Sequence, residues 1–289
     1  MANTVNSYSD LLIMKCLLTG NFSEIGRSFE DNVITKLKPG AFYQAQNLDR
    51  VSIPNLTDIG AFAFAGTSLT TLDIPWADIE AVRTGAFYEC VSNGMPSTFN
   101  LAKATVVDRM AFAGTSSKPN TWLQSISIPL WTGTSSGTEK YYYGTTTGVF
   151  EYCTALTSVS LPELVGLTSK FFSRDSSLVS VKLPKCASIA TEVFSYCTSL
   201  TKVELGGALT AYSANMFQSC SALEALILSG VTAVPTLSST VFNGTRFANG
   251  NAYIYVPKSL EETFKLANNW STYASQIRAI EDHPDVCGS

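Results

Sequence analysis

The residues best placed to do chemistry in this chain are cysteines at a repeating position. Four of the seven cysteines each lie three residues after a phenylalanine; they are Cys90, Cys153, Cys197 and Cys220. Regularly spaced thiols can bind a metal or form disulfides. There is no C-x-x-C pair, however, and free cysteine also serves as a small buried hydrophobic residue. We therefore predict that Cys153, Cys197 and Cys220 are reduced and buried, one in each coil of a repeating structure.

Catalytic arrangements have little support. The single histidine, His283, lies between Asp282 and Pro284, and one histidine in this setting gives no Ser-His-Asp or Cys-His arrangement. The motifs of phosphate-binding loops, zinc peptidases and calcium loops are missing. Carboxylates are scattered instead of paired at recurring positions, which argues against glycoside hydrolysis. We predict that the protein is not an enzyme and uses no metal and no cofactor.

Composition excludes two classes of partner. The formal net charge is −4, from 19 Lys and Arg against 23 Asp and Glu. Such a chain lacks the broad basic field of nucleic-acid-binding proteins. No apolar run approaches the roughly 18 residues of a membrane span, so we expect no membrane insertion. Residues 11–18 are apolar, but Asp10 precedes them and no Lys or Arg does, so we assign them to the fold and not to a signal peptide.

One phrase recurs along the chain and predicts its architecture. A phenylalanine is followed six residues later by a leucine and then by alternating apolar and polar residues, as in VFEYCTALTSVSLP from Val149. The phenylalanines lie 22 to 25 residues apart, except for one interval of 38; they are Phe42, Phe64, Phe87, Phe112, Phe150, Phe172, Phe194, Phe217 and Phe242. This period with an L-x-x-V-x-L core is typical of a leucine-rich-repeat solenoid. We predict a mostly β solenoid of about nine coils of 22–25 residues, with parallel strands and short helical caps.

Each period divides into two strand-like pieces, one after the phenylalanine and one before the next phenylalanine. The phenylalanines should stack as a column through the core. Residues 1–38 are assigned to an N-terminal cap and incomplete first coil, residues 39–257 to the solenoid, and residues 258–289 to a helical C-terminal cap and tail.

The C-terminal cap carries its own local signals. Ser259 and Glu262 have the spacing of a capping box, which predicts a helix from Leu260 to about residue 267. A second short helix is predicted from Ser271, with Tyr273 and Ile277 on one face. The final residues, EDHPDVCGS, are interpreted as a frayed tail.

The long interval between Phe112 and Phe150 contains an insertion at about residues 131–148. It is rich in Gly, Ser and Thr and carries four large aromatic residues: Trp131, Tyr141, Tyr142 and Tyr143. Insertions in repeat proteins often lie on the binding face. Two alternatives remain open here: the loop recognises a partner, or its aromatic residues fold back over their own coil.

At these phrases the sequence resembles the BspA-like, or Treponema-type, bacterial surface-antigen leucine-rich repeats. These carry an A-F-x-x-C-x-x-L-x-x-V-x-L-P phrase, and the resemblance covers about residues 25–281. Departures are Asp175 in place of a cysteine, the long insertion and the lack of a visible signal peptide. The resemblance implies a secreted or surface-displayed protein that binds host or bacterial proteins, or a phage structural protein.

Candidate partner-binding residues follow from strand geometry. Residues flanking the central valine of L-x-x-V-x-L point away from the core, onto an open sheet face. The candidates on this face and in the insertion are Arg50, Asp73, Lys182, Lys202, Glu204, Tyr253, Tyr255, Trp131, Tyr141, Tyr142 and Tyr143. Most other outward positions are Ser or Thr, which also suits a solvated face without a partner.

The sequence therefore predicts a non-catalytic, monomeric binding or adhesion module, secreted or displayed at the cell surface. Its expected partner is a host extracellular or bacterial envelope protein, with a glycan as a second option. The alternative is a virion or tail-associated component of a phage, acting as a structural or receptor-binding part.

Overall fold

Each period of the sequence forms one turn of a parallel β-solenoid of about ten turns. The structure, a computed structural model, describes residues 27–91, 95–133 and 148–288. The apolar segment 11–18 and Tyr141–Tyr143 lie outside the described residues. The predicted fold class is confirmed, and the described coils slightly exceed the nine that the phenylalanine count predicts.

The strand after each phenylalanine belongs to the first strand column. Its members are β1 (Ser28–Glu30), β2 (Arg50–Ser52), β4 (Thr71–Asp73), β6 (Thr98–Asn100), β8 (Ser125–Ser127), β9 (Ser158–Ser160), β11 (Ser180–Leu183), β13 (Lys202–Leu205), β15 (Ala225–Ile227), β17 (Tyr253–Val256) and β18 (Ile277–Ala279). Pairing is parallel and in register, as for Val181, Val203 and Leu226. The central residue of each strand points inward because strand side chains alternate between faces.

The second strand column consists of two-residue strands, each of which precedes one of seven repeat phenylalanines. They are β3 (Asp58–Ile59), β5 (Ala81–Val82), β7 (Val106–Val107), β10 (Gly166–Leu167), β12 (Ser188–Ile189), β14 (Ala211–Tyr212) and β16 (Thr236–Leu237). A short 3-10 helix at Trp76–Asp78 separates β4 from β6, and Trp76 stacks on Phe99 with ring centroids 4.2 Å apart.

The repeat phenylalanines form the predicted column. From Phe42 to Phe242 each ring is stacked on the next, with centroids between 5.3 and 5.9 Å apart. The backbone turns that carry these rings are tied together, since Phe172 N–H donates to Val193 O at 2.9 Å and Phe194 N–H donates to Met216 O at 2.9 Å. This column is the centre of the hydrophobic core.

These turns bend sharply: six of the nine have left-handed residues on both sides of the phenylalanine, and those at Phe112, Phe150 and Phe242 have one on a single side. Two residues before it, φ is +70° at Gly40 and +59° at Glu192. Two residues after it, φ is +63° at Tyr152, +67° at Arg174 and +63° at Tyr196. At Tyr152, Arg174 and Tyr196 the side chains remain partly or fully exposed, and we call the surface that these corners form the turn face.

The C-terminal cap differs from its prediction in two details. Helix α1 (Glu261–Leu266) follows a 3-10 turn at Lys258–Leu260, and no side chain caps it. The capping-box prediction is therefore wrong: Ser259 lies within the 3-10 turn, and Glu262 pairs with Lys265. The second helix is a 3-10 segment, Trp270–Gln276, because Ile277 is drawn into β18 by pairing with β17.

The last residues are ordered, so the prediction of a frayed tail is wrong. A 3-10 helix at Ile280–Asp282 leads into the short helix α2 (Pro284–Cys287). Ile280, Val286 and Cys287 pack against a buried cluster of Ala225, Ile227 and Tyr255. We call residues 280–288 the tail cover. A further 3-10 helix, Arg246–Asn249, lies in the last long turn.

Candidate functional site

The charged residues of the predicted sheet face neutralise one another. Arg50 pairs with Glu30 at 3.5 Å, and Lys182 pairs with Glu204 at 3.3 Å. The hydroxyl of Ser52 donates to Asp73 Oδ2 at 2.9 Å. Exposed pairs of this kind contribute about 0–1 kcal/mol each and leave little unbalanced charge for a partner.

The C-terminal part of the same face is covered by the chain itself. Tyr255 is only 6 % exposed beneath the tail cover, and its ring meets His283 at 5.4 Å. Lys202 Nζ donates to the backbone oxygen of Val286 at 2.6 Å. The expectation that Tyr255 and Lys202 are open to a partner is therefore corrected. The reason is that the outward residues of β15, Ala225 and Ile227, are apolar and bury themselves against the tail cover.

Tyr253 keeps its exposure, at 40 %, but it is not isolated. The guanidinium of Arg278 lies 4.9 Å from its ring centroid, which is the geometry of a cation–π contact. Among the aromatic candidates within the described residues, it alone remains at the surface.

Trp131 takes the inward alternative. It is fully buried, stacks on Phe171 with centroids 5.7 Å apart, and donates its indole N–H to Gly133 O at 2.6 Å. The prediction that Trp131 binds a partner from an exposed loop is therefore wrong. Its ring is instead part of the core of the coil that follows the insertion.

The turn face holds a better candidate site, a groove of about 330 Å³ between two walls. One wall is the segment from Thr115 to Lys118, which is anchored to Glu89 by Thr115 Oγ1 at 3.2 Å and Lys118 Nζ at 3.5 Å. The other wall is formed by the left-handed corners of three successive coils. The described residues that line the groove are Tyr88, Thr115, Ser116, Glu151, Tyr152, Lys170, Ser173, Arg174, Glu192, Ser195 and Tyr196.

The corners in this wall carry a stacked Tyr–Arg–Tyr triplet. The guanidinium carbon of Arg174 lies 5.3 Å from the ring centroid of Tyr152 and 4.3 Å from that of Tyr196. Backbone bonds hold the spacing, since Tyr152 N–H donates to Ser173 O at 2.9 Å and Arg174 N–H donates to Ser195 O at 2.8 Å. A guanidinium held between two rings gains from cation–π attraction on both faces.

Arg174 is exposed, and no acceptor among the described residues bonds to its guanidinium. The side-chain carboxylate of Glu192, two residues before Phe194, likewise has no ion-pair or hydrogen-bond partner in the described part of the chain, although its backbone oxygen accepts a bond from Ser195 Oγ at 3.0 Å. Glu151 is buried and accepts a bond from Gly148 N–H at 3.2 Å. The groove therefore offers a donor fork and a carboxylate that are both ready for a ligand.

The repeated cysteines do not contribute to a site. All four are free and buried, as predicted for Cys153, Cys197 and Cys220. The thiol of Cys197 donates to Phe172 O at 3.0 Å and that of Cys220 to Phe194 O at 2.9 Å. Burial raises the pKa of the Cys90 thiol to about 11 and that of Cys220 to about 12. A thiol that stays protonated is neither a nucleophile nor a metal ligand at neutral pH.

Comparison with known proteins agrees with this architecture. The family described as "BspA type Leucine rich repeat region" matches residues 20–129 and 145–267, in six copies. The match spans more than half of the chain. This chain belongs to the BspA-type leucine-rich-repeat family. The resemblance inferred from the repeat phrase is therefore confirmed.

Three solved structures match this chain at low sequence identity. A leucine rich cell surface protein from Faecalibacterium prausnitzii is 18 % identical over 87 % of this chain and 78 % of its own, with a TM-score of 0.36. A leucine-rich repeat protein from Bacteroides ovatus is 17 % identical over 87 % and 83 %, with a TM-score of 0.41. The pneumococcal vaccine antigen PcpA is 11 % identical over 88 % and 66 %, with a TM-score of 0.45. A search of curated proteins gave no match.

Family membership sets a coarse expectation for this BspA-type chain. Leucine-rich-repeat proteins typically bind proteins and are generally non-enzymatic. Within the described residues, no helix is long and apolar enough to cross a membrane. The same part of the chain holds no group of three or more His, Cys, Asp or Glu side chains placed to bind a metal ion.

The strand faces alone do not reveal the groove, because its lining residues lie in the turns. The signal was present two residues after each phenylalanine, where Tyr152, Arg174 and Tyr196 occupy one position in three successive periods. A column of such residues predicts side-chain stacking once the corner is known to be left-handed.

Proposed function

We propose that this BspA-type protein is a non-catalytic binding module, displayed outside the cell, that attaches to an extracellular partner through its turn face. The observation that carries the proposal is Arg174, stacked between Tyr152 and Tyr196 with no acceptor among the residues that the structure describes. Tyr and Arg are the residue types enriched at binding hot spots. The sheet face supports binding less well because its charges are paired and its last coils are covered.

The position of the insertion supports the same face. The chain returns from residues 134–147 at Gly148, whose N–H bonds to Glu151 in the groove wall. The insertion therefore rejoins the solenoid at the groove. Recruitment of Tyr141–Tyr143 to the partner is part of this proposal, and deletion of residues 133–146 tests it.

The proposal is tested by measuring how fluorescently labelled protein binds to immobilised host extracellular proteins and bacterial envelope fractions. The turn-face variant Arg174→Ala/Tyr196→Ala should lose at least about tenfold in binding, because truncating a hot-spot residue costs more than 1 kcal/mol. The matched sheet-face variant Arg50→Ala/Lys182→Ala should bind like the native protein. Circular dichroism establishes that both variants are folded.

The opposite ranking of the two variants would move the binding surface to the sheet face and overturn the proposal. Failure of the native protein to bind any fraction would also overturn it. Turnover of a substrate in a broad hydrolase screen would refute only the statement that the protein is non-catalytic.

A further inference from the structure

We infer that the turn-face groove binds a saccharide that carries a carboxylate, with Arg174 holding the carboxylate. The inference rests on the proposed function, since it names the ligand class for the same site. Three features support it: the polar lining of the groove, the guanidinium of Arg174 without an acceptor among the described residues, and the nearby carboxylate of Glu192.

The lining suits a polyol better than a peptide side chain. Its described residues are Ser, Thr, Tyr and charged residues, without one aliphatic side chain. Hydroxyl groups both donate and accept hydrogen bonds, which matches the alternating needs of sugar hydroxyls. A volume of about 330 Å³ lies at the lower end of the roughly 300–1,000 Å³ range of ligand pockets and accommodates one or two sugar rings.

Arg174 supplies the selectivity for an acid. Its guanidinium presents a planar set of donors that matches a carboxylate in a bidentate pair, which is stronger than a neutral hydrogen bond. Stacking on Tyr152 and Tyr196 immobilises the side chain before the ligand arrives. Preorganisation of this kind reduces the entropy that is lost on binding.

The acidic side chains of the groove restrict the ligand further. No described residue bonds to the side-chain carboxylate of Glu192, and Glu151 is buried in the same wall, so a compact polyanion would be repelled. A sugar acid places one negative charge at Arg174 and offers hydroxyl donors to the carboxylate of Glu192. Lys170 also lines the groove and adds a second positive charge to it.

The experiment is isothermal titration of the full chain with 3′-sialyllactose and with a hyaluronan tetrasaccharide, each compared with neutral lactose. We expect either acid or both to bind at least tenfold more tightly than lactose. Arg174→Lys should bind the acids at least tenfold more weakly than the native protein does, because an ammonium group keeps the charge but cannot form the bidentate pair. Lys182→Ala on the sheet face is the matched control and should bind like the native protein.

The inference would be overturned by equal affinity for lactose and the acids, or by unchanged binding of the acids to Arg174→Lys. It would also be overturned if none of the three saccharides bound. Sulfated lactose separates general anion binding from carboxylate recognition, and tighter binding of the sulfate than of both acids would also overturn it. Failure of this inference is distinct from failure of the proposed function. Arg174-dependent attachment to proteins or envelope fractions without saccharide binding would refute the inference alone.

Discussion

At the scale of single residues, Asp175 departs most clearly from the repeat. It occupies the position that cysteine holds in neighbouring coils and is fully buried. Its Oδ1 accepts a hydrogen bond from Cys153 N–H at 2.8 Å, whereas Oδ2 has no partner among the described residues. Burial raises the pKa of this carboxyl well above its usual range, and the charge of Glu151 adds to the rise. Burial therefore favours the neutral form of Asp175.

This gives a prediction for Asp175→Asn, which keeps the shape and the acceptor oxygen but removes the ionisation. Below the unfolded-state pKa of about 3.9, both states of the native protein are protonated. As pH rises from there towards the higher folded-state pKa, the unfolded state gives up its proton first. The native protein then loses about 1.4 kcal/mol of stability per pH unit relative to the variant. Urea unfolding should show a larger advantage of Asp175→Asn at pH 7 than at pH 4.

The matched control is Asp78→Asn, since Asp78 is an exposed carboxylate paired with Lys103 at 2.7 Å. Its effect should stay within about 1 kcal/mol at both pH values, as for other surface pairs. An advantage of Asp175→Asn that does not change with pH would show that Asp175 is ionised in the folded protein.

At the scale of elements, the strand columns and the phenylalanine stack were predictable because both follow from residue spacing. The alternation in β15 correctly predicted that Ala225 and Ile227 point away from the core. It could not predict that residues 280–288 return to cover them, because that contact joins segments more than 50 residues apart. The capping box failed for a local reason: the chain after Pro257 enters a 3-10 turn, which moves the helix start beyond Ser259. The groove was missed since its residues project from turns.

The turns give the second prediction, at Gly40. This residue has φ of +70°, and an added Cβ would meet only the Cβ of Tyr43, at 3.8 Å. Gly40→Ala should therefore cost about 1–2 kcal/mol from backbone strain alone. Gly40→Asn should recover part of this loss, because Asn tolerates the left-handed region better. Chemical unfolding of both variants measures the difference, and equal stability of the alanine and native proteins would contradict the role of the corner.

The tail cover gives the third prediction. Val286→Asp places a charge against the apolar cluster of Ala225, Ile227 and Tyr255, so the tail cover should undock. Hydrogen exchange should then be faster at residues 280–288, and alkylation of the half-buried Cys287 should also be faster. Asp285→Asn changes the neighbouring exposed residue and should leave the hydrogen exchange of residues 280–288 unaltered. Full protection in Val286→Asp would mean that the tail cover is held mainly by other contacts, such as the bond from Lys202 to the backbone.

At the scale of the whole molecule, stability depends on coils that contact only their neighbours. Phe194 lies in the middle of the column, stacked on Phe172 at 5.5 Å and on Phe217 at 5.4 Å. The column needs a closing surface, because its last ring would otherwise face water. That surface is provided by Tyr273, which meets Phe242 edge-on at 5.1 Å.

Trp270 belongs to the same C-terminal cap and gives the fourth prediction. It is fully buried, meets Phe264 at 4.9 Å and Tyr212 at 5.6 Å, and donates its indole N–H to Pro235 O at 2.7 Å. Trp270→Ala should cost about 3–5 kcal/mol, the range for a large aromatic residue lost from a core. Leu266→Ala is the control from the same cap, because Leu266 is 84 % exposed and should change stability by less than about 0.5 kcal/mol.

Deletion of residues 258–289 extends the same test to the proposed cap boundary. The deletion removes Trp270 and Tyr273 together with β18, whose backbone pairs with β17. It therefore exposes both the apolar end of the column and an unpaired strand edge, which is a template for association between chains. We expect the melting temperature to fall and the shortened protein to associate in sedimentation experiments. A monomer with the native melting temperature would place the end of the cooperative unit before residue 258 and would refute the cap assignment.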